Sequence, residues 1–226
     1  MKLDYAVIYS SKRKTLTITV ERDRSVVVKA PTGTSPEKIN AIVESRKLWL
    51  YQKTNHEQKY HPPLPPGKEL ISGESLPYLG RNYQLELSDS IKEIQFISNR
   101  FLVPKAQANH RGEIFKNWYI KKAEEKILPR VQFHAQRMGP EFNLAKITDS
   151  KYHWGSCTPK NNLNFNWRLV KAPMFVIDYV IVHELAHLIE PNHTPRFWNI
   201  VKAQLATMEK AKQWLKDNGE LLEQNL

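Results

Sequence analysis

The chain has 226 residues and 34 Lys plus Arg against 23 Asp plus Glu, a formal charge of +11. Hydrophobic residues at 41% and charged residues at 25% match ordinary globular usage and exclude a disordered chain. A single cysteine, Cys157, excludes an intramolecular disulfide framework, and no apolar run reaches the ~20 residues of a membrane-spanning helix. The opening residues Met1–Tyr5 lack a long apolar stretch behind a basic patch, so the expected location is cytoplasmic. The basic residues are scattered, with Lys12-Arg13-Lys14 and Lys121-Lys122 as small clusters, and such a surface suits a nucleotide, a nucleic acid or an acidic substrate.

Val7 and Tyr9, then Leu16, Ile18 and Val20, alternate, and Val26-Val27-Val28 follow before Pro31-Thr32-Gly33; the pattern predicts a short β-meander. Ser35-Pro36 reads as the N-cap and first position of a helix whose apolar face is Ile39, Ile42, Val43 and Leu50. The proline run from Pro62 to Pro66 is a linker or wrapping loop. Short strands are expected at Glu69–Ile71, Leu76–Leu79, Tyr83–Leu87, Ile94–Ile97 and Phe101–Val103. A long helix then runs from about Asn109 to Met138, with Pro129 inside it and Gly139-Pro140 as its stop. The change from alternation to helical spacing puts a boundary near Pro104, giving an N-terminal β-rich region over 1–104 and a second region over 105–226.

Further strands are expected at Leu144–Thr148, Lys151–Trp154 and Leu163–Trp167, with Thr158–Asn162 as a turn. Pro173 opens a helix to about Ile189 with Val176, Ile177, Val180, Ile181, Leu185 and Leu188 apolar; Pro191 ends it. Thr194-Pro195 starts the last helix, carrying Phe197, Trp198, Val201 and Leu205 and ending near Gly219.

Inside the helix that Pro173 opens lies His183-Glu184-Leu185-Ala186-His187. Residues four apart share a helical face, so both imidazoles reach one metal ion, while Glu184, turned by about 100°, addresses a water on that ion. By composition alone the pattern arises by chance in roughly 2% of such chains. The third ligand has two candidates, His193 and Glu190. Glu190 lies ~10 Å along a straight helix from His183, and three ligands strung along one axis converge poorly on a tetrahedral ion; the break at Pro191 favours His193. Zinc is the expected metal: it lowers the pKa of its bound water, and Glu184 takes the proton and passes it to the leaving group. A developing oxyanion needs a further donor, for which His153, Tyr152, Tyr179 and Asn192 are the candidates. Asp178 points off the ligand face. Cys157 in Trp154-Gly155-Ser156-Cys157 reads as a buried structural thiol, and Gly155 as a bulge or a close approach of backbone.

Trp154-Gly155-Ser156-Cys157, Asn164-Phe165-Asn166-Trp167-Arg168-Leu169, Ala172-Pro173, Ile177-Asp178-Tyr179-Val180, the His183–His187 pentad, Asn192-His193 and Phe197-Trp198 follow in that order. Over about residues 145–218 the chain resembles the YgjP-like metallopeptidase family of bacterial predicted metal-dependent hydrolases and, more distantly, the SprT and WLM/Spartan-type zinc proteases. The resemblance implies an α+β fold with a zincin-like catalytic core, metal ligands at His183, His187 and His193, and a catalytic Glu184. One departure is His153, which stands where the family usually has Arg before Trp-Gly-Ser-Cys. The leading expectation is a zinc metallopeptidase acting on a peptide or unfolded segment. Two alternatives use the charge: a metal-dependent phosphohydrolase releasing pyrophosphate from nucleoside triphosphates, and a DNA-associated protease. No membrane partner is expected.

Overall fold

A computed structural model describes residues 4–20, 25–54, 67–150, 153–224 and 226. The chain divides into two compact units, Met1–Pro65 and Pro66–Leu226. The proline run from Pro62 to Pro66 lies outside the described residues.

Unit 1 contains β1 (Tyr5–Ser10), β2 (Thr17–Val20), β3 (Val26–Pro31), α1 (Pro36–Ser45) and α2 (Lys47–Thr54). The sheet order is β1-β3-β2, with β1 parallel to β3 and β2 antiparallel to it, so the three strands are not the expected meander. Burial explains the central place of β3. Its alternate residues Val26, Val28 and Ala30 are all buried, whereas β2 offers only Ile18 and Val20 between threonines. A strand with a fully apolar face is most stable with neighbours on both sides. The Ser35 hydroxyl caps α1 by accepting the Lys38 N–H, with Pro36 at the first position as expected. Ile39, Val43 and, from α2, Leu50 close this unit's own core. The single expected helix is two, because Arg46 leaves helical geometry at φ −105° and ψ 10°.

Unit 2 begins with β4 (Ser75–Tyr78), β5 (Arg81–Ser88), β6 (Gln95–Ile97) and β7 (Arg100–Pro104), in the order β4-β5-β7-β6. Glu69–Ile71 forms no strand: Leu70 adopts φ 60°, a left-handed backbone that an extended strand excludes. The sheet is followed by α3 (Arg111–Met138), β8 (Leu144–Thr148), β9 (Gly155–Cys157), β10 (Asn162–Asn166), α4 (Met174–Ala186), α5 (Pro195–Gln204) and α6 (Met208–Glu223). Phe115, Tyr119, Ala123, Ile127 and Val131 recur every fourth residue along α3 and are fully buried. They join Leu85, Phe101 and Val103 of the preceding sheet and Val176, Ile177, Val180 and Ile181 of α4 in one hydrophobic cluster. The expected boundary near Pro104 therefore falls inside unit 2, since β4–β7 bury their apolar face in the same core as the helices.

The third sheet has the order β8-β10-β9, with β10 parallel to β8 and antiparallel to β9. Of the expected strand at Lys151–Trp154, Lys151 and Tyr152 lie outside the described residues and His153 and Trp154 are not in a strand; the strand beside β10 starts at Gly155. Gly139 takes φ 92° and its N–H bonds the Ala135 carbonyl, ending α3 where the sequence indicated. The last expected helix is split into α5 and α6 at Leu205, which is extended at φ −136° and ψ 103°. Three small sheets and six α-helices, among the described residues, make the fold α+β.

Candidate metal centre

The α4 sequence Met-Phe-Val-Ile-Asp-Tyr-Val-Ile-Val-His-Glu-Leu-Ala is apolar nearly all round, which marks a helix buried on every side. Asp178, His183 and Glu184 break that pattern. A polar group on a buried helix needs a partner, and each partner shows what the residue does. Asp178 faces away from the histidines: its carboxylate accepts Nε and Nη2 of Arg130 and lies 3.2 Å from Nε2 of His134, both on α3. Glu184 turns toward β9, and His183 toward the loop between α4 and α5.

The helix ends at the second histidine of the pentad. His187 is the C-cap residue, at φ −64° and ψ −21°, and the chain then tightens through bonds from Leu188 N–H to Leu185 O and Ile189 N–H to Ala186 O. Pro191 cannot continue these bonds, and the chain reverses until Thr194 caps α5 by accepting the Phe197 N–H. This reversal brings His193 back, with its Nε2 3.0 Å from Nε2 of His183. Donor atoms of His183, His187 and His193 all lie within 4.8 Å of one another. Glu190 is not in the group; its carboxylate sits 3.9 Å from Nε of Arg196. Of the two candidate third ligands, the fold brings His193 to the other histidines.

The donor set fits a transition metal. Nδ1–H of His187 donates to the Pro191 carbonyl at 3.0 Å, which fixes the tautomer and leaves Nε2 with a free lone pair. Burial, then the neighbouring His187 and His193, push the His183 imidazole down to about 4. Burial and His193 lower His187 too, against an opposing pull from the backbone of Pro191 and Glu190. Neutral imidazoles are the ligating form. Nδ1 of His183 is buried and has no hydrogen-bond partner among the described residues. The set is three nitrogen donors, the donor type that transition metals take.

An aromatic floor from α5 holds the imidazoles. The Phe197 ring, fully buried, lies 4.9, 4.6 and 4.7 Å from the rings of His183, His187 and His193. Trp198 stacks on His193 at 5.4 Å with an interplanar angle of 18°, and Lys212 of α6 sits over the indole at 4.8 Å. Aromatics at these positions look like ordinary helix-packing residues in the sequence, so nothing there marked them as a support for the histidines.

Glu184 is 6% exposed and lies against β9, its carboxyl facing the backbone amide of Cys157. Burial pushes this acid up to about 7, with the Cys157 amide working against the shift. The close approach of backbone anticipated at Gly155 is present: a Cβ there would fall 2.6 Å from Glu184 Oε1. Cys157 is half-buried, its thiol directed to the Thr158 carbonyl at 3.7 Å and pushed up by burial and by Glu184. Of the four candidate oxyanion donors, Tyr179 is buried in ring contact with His183 at 5.9 Å. His153 and Asn192 are exposed, and Tyr152 lies outside the described residues.

The YgjP-like metallopeptidase domain matches residues 14–218, most of the chain. The chain belongs to this family. Membership makes it a metal-dependent hydrolase and, at the level of the family, a peptidase. No curated protein matches the sequence. Two similar solved structures are metallopeptidase zymogens. Abylysin of Pyrococcus abyssi has 18% identity and a TM-score of 0.38, covering 44% of this chain and 98% of its own. Jannalysin of Methanocaldococcus jannaschii has 23% identity and a TM-score of 0.36, covering 42% and 96%. No helix among the described residues is long and apolar enough to cross a membrane.

Proposed function

We propose that the protein is a zinc metallopeptidase in which His183, His187 and His193 hold the ion and Glu184 moves the proton. The observation that carries this reading is the convergence of three imidazole donors, within 4.8 Å of one another, beside an acid raised to about 7 on the same helix. When bound, zinc supplies Lewis-acid polarisation of water and of the scissile carbonyl. Glu184 accepts the proton that water loses on attack and delivers it to the departing amine; an acid poised near neutrality does both steps well. The aromatic floor of Phe197 and Trp198 packs against the imidazole rings and limits how they can turn.

The substrate reading rests on β9. Thr158 N–H bonds Asn162 O and Asn166 N–H bonds Trp154 O, so along this hairpin the residues with even numbers face β10. The backbone groups of Gly155 and Cys157 therefore point away from β10; the Cys157 amide faces Glu184, which leaves those of Gly155 on the sheet edge. An extended peptide adds to such an edge through main-chain hydrogen bonds.

The test is zinc content and turnover of Glu184→Gln beside the wild type, on a peptide library and on nucleoside triphosphates. We expect equal zinc in both proteins, peptide cleavage by the wild type only, reduced at least ~1,000-fold in the variant, and no pyrophosphate release by either. Undiminished cleavage by Glu184→Gln would remove Glu184 from the chemistry. Pyrophosphate release lost in that variant would move the bond broken from amide to phosphoanhydride.

A further inference from the structure

Gly155 has no conformational reason to be glycine: it sits in β9 and is absent from the positive-φ residues, which include Gly33, Gly73, Gly80 and Gly139. What it lacks is space. A Cβ on Gly155 would fall 2.6 Å from Cγ, 2.6 Å from Oε1 and 2.9 Å from Cδ of Glu184. Two residues on, and therefore on the same outward edge, the Cys157 amide faces the Glu184 carboxyl and favours its charged form. One position of the strand leaves room for the acid and the next equivalent position turns its amide toward it.

The strand that makes this fit is itself fastened. Ser156 Oγ, on the opposite face, accepts Nδ2 of Asn164 from β10 at 3.1 Å. The Trp154 indole reaches α6, where its Cζ2 would lie 3.6 Å from a Cβ on Gly219. At the exit of β8, Asp149 is bonded by Lys116 of α3, by Arg168 and by Nε1 of Trp167, tying the start of this connection to the core.

We propose that Gly155 and the Cys157 amide form a socket that positions the Glu184 carboxyl, making Gly155 a positioning residue for the proton transfer. The proposal rests on the reading of Glu184 as the proton carrier. Filling the socket moves the carboxyl while leaving in place the histidines, which lie on another face of α4, at its C-cap and in the turn before α5. A displacement of about 1 Å in a reacting group costs on the order of 100-fold in rate.

The experiment is a double-mutant cycle of Gly155→Ala and Glu184→Ala, read by thermal midpoint and zinc stoichiometry. Gly155→Ala alone is expected to lower Tm by roughly 2–10 °C through overpacking. In the Glu184→Ala background the atoms it strikes are gone, and the same substitution is expected to shift Tm by less than a third as much. Zinc stays near one equivalent in all four proteins. Equal Tm losses in both backgrounds would overturn the contact. Should Gly155→Ala alone not fold, a folded double variant supports the socket and an unfolded one overturns it. On the best-cleaved peptide of a fluorogenic library, zinc-loaded Gly155→Ala should lose about 100-fold in kcat with KM within ~3-fold. An unchanged kcat would end the positioning role. Full turnover by Glu184→Gln would instead remove the proton-carrier reading while leaving the stability coupling intact.

Discussion

His187 shows how one backbone carbonyl decides which ring nitrogen of an imidazole is free. Pro191 ends the helical bonding, and its own carbonyl, freed by the turn, accepts a hydrogen bond from Nδ1–H of His187. The ring is left with its lone pair on Nε2. The same turn separates the fates of Glu190 and His193, three residues apart: one faces Arg196, the other His183. Two substitutions test that separation. His193→Ala is expected to weaken zinc binding by on the order of 100-fold or more, since loss even of a group that only orients a ligand costs 10–100-fold. Glu190→Gln is expected to leave zinc affinity within about threefold. Competition with a chromophoric chelator measures both, and the reverse ranking would exchange the third ligand. At this scale the pentad was legible because i and i+4 are neighbours in any helix. His193 was legible because a proline marks the reversal. The aromatic floor was not, since Phe197 has the spacing of a core residue and only the tertiary fold sets it beneath the imidazoles.

At the scale of elements, helix starts were legible and pairings were not. Ser35-Pro36 and Thr194-Pro195 carry their capping chemistry within three residues, and both caps form. The place of β3 between β1 and β2 depends on which strand has the most apolar face, a comparison across the sheet rather than a local pattern. Nor does Gln204-Leu205-Ala206-Thr207, with neither glycine nor proline, signal the break between α5 and α6. The pairing of α3 with α4 depends on another contact invisible in the sequence, Asp178 with Arg130 and His134. Burial works to raise the Asp178 carboxyl, but the bonds from His134 and Arg130 outweigh it and hold the group below the usual carboxylate range. A carboxyl with a folded pKa below its unfolded one adds stability above the unfolded value, and that stability is lost as pH falls through the folded value. Asp178→Asn should therefore cost about 2 kcal/mol at pH 7, a Tm loss of roughly 4–8 °C, because Arg130 loses its counter-charge while keeping some contact with water. The difference between wild type and variant should shrink below about pH 4. Thermal melts from pH 3 to 8 measure it, and a gap that widens on acidification would contradict the assignment.

For the molecule as a whole, charge and chemistry are distributed differently. Met1–Pro65 has 12 Lys plus Arg against 6 Asp plus Glu, so more than half of the +11 charge is carried by under a third of the residues. Every group of the candidate metal centre belongs to Pro66–Leu226, whose hydrophobic cluster is closed within that unit. A unit of this length with its own core is within the range of independent domains. The fragment Pro66–Leu226 is therefore expected to melt cooperatively and to bind one zinc with an affinity within about threefold of the full chain. Its retention on a polyanion should behave otherwise. Attraction to phosphate or sulfate groups follows the number of basic residues engaged, and falls steeply with salt. The full chain should elute from immobilised heparin or duplex DNA at clearly higher salt than the fragment. A fragment that fails to bind zinc would show that the centre needs Met1–Pro65 to form. A fragment that elutes with the full chain would place the anion-attracting surface on the same unit as the histidines.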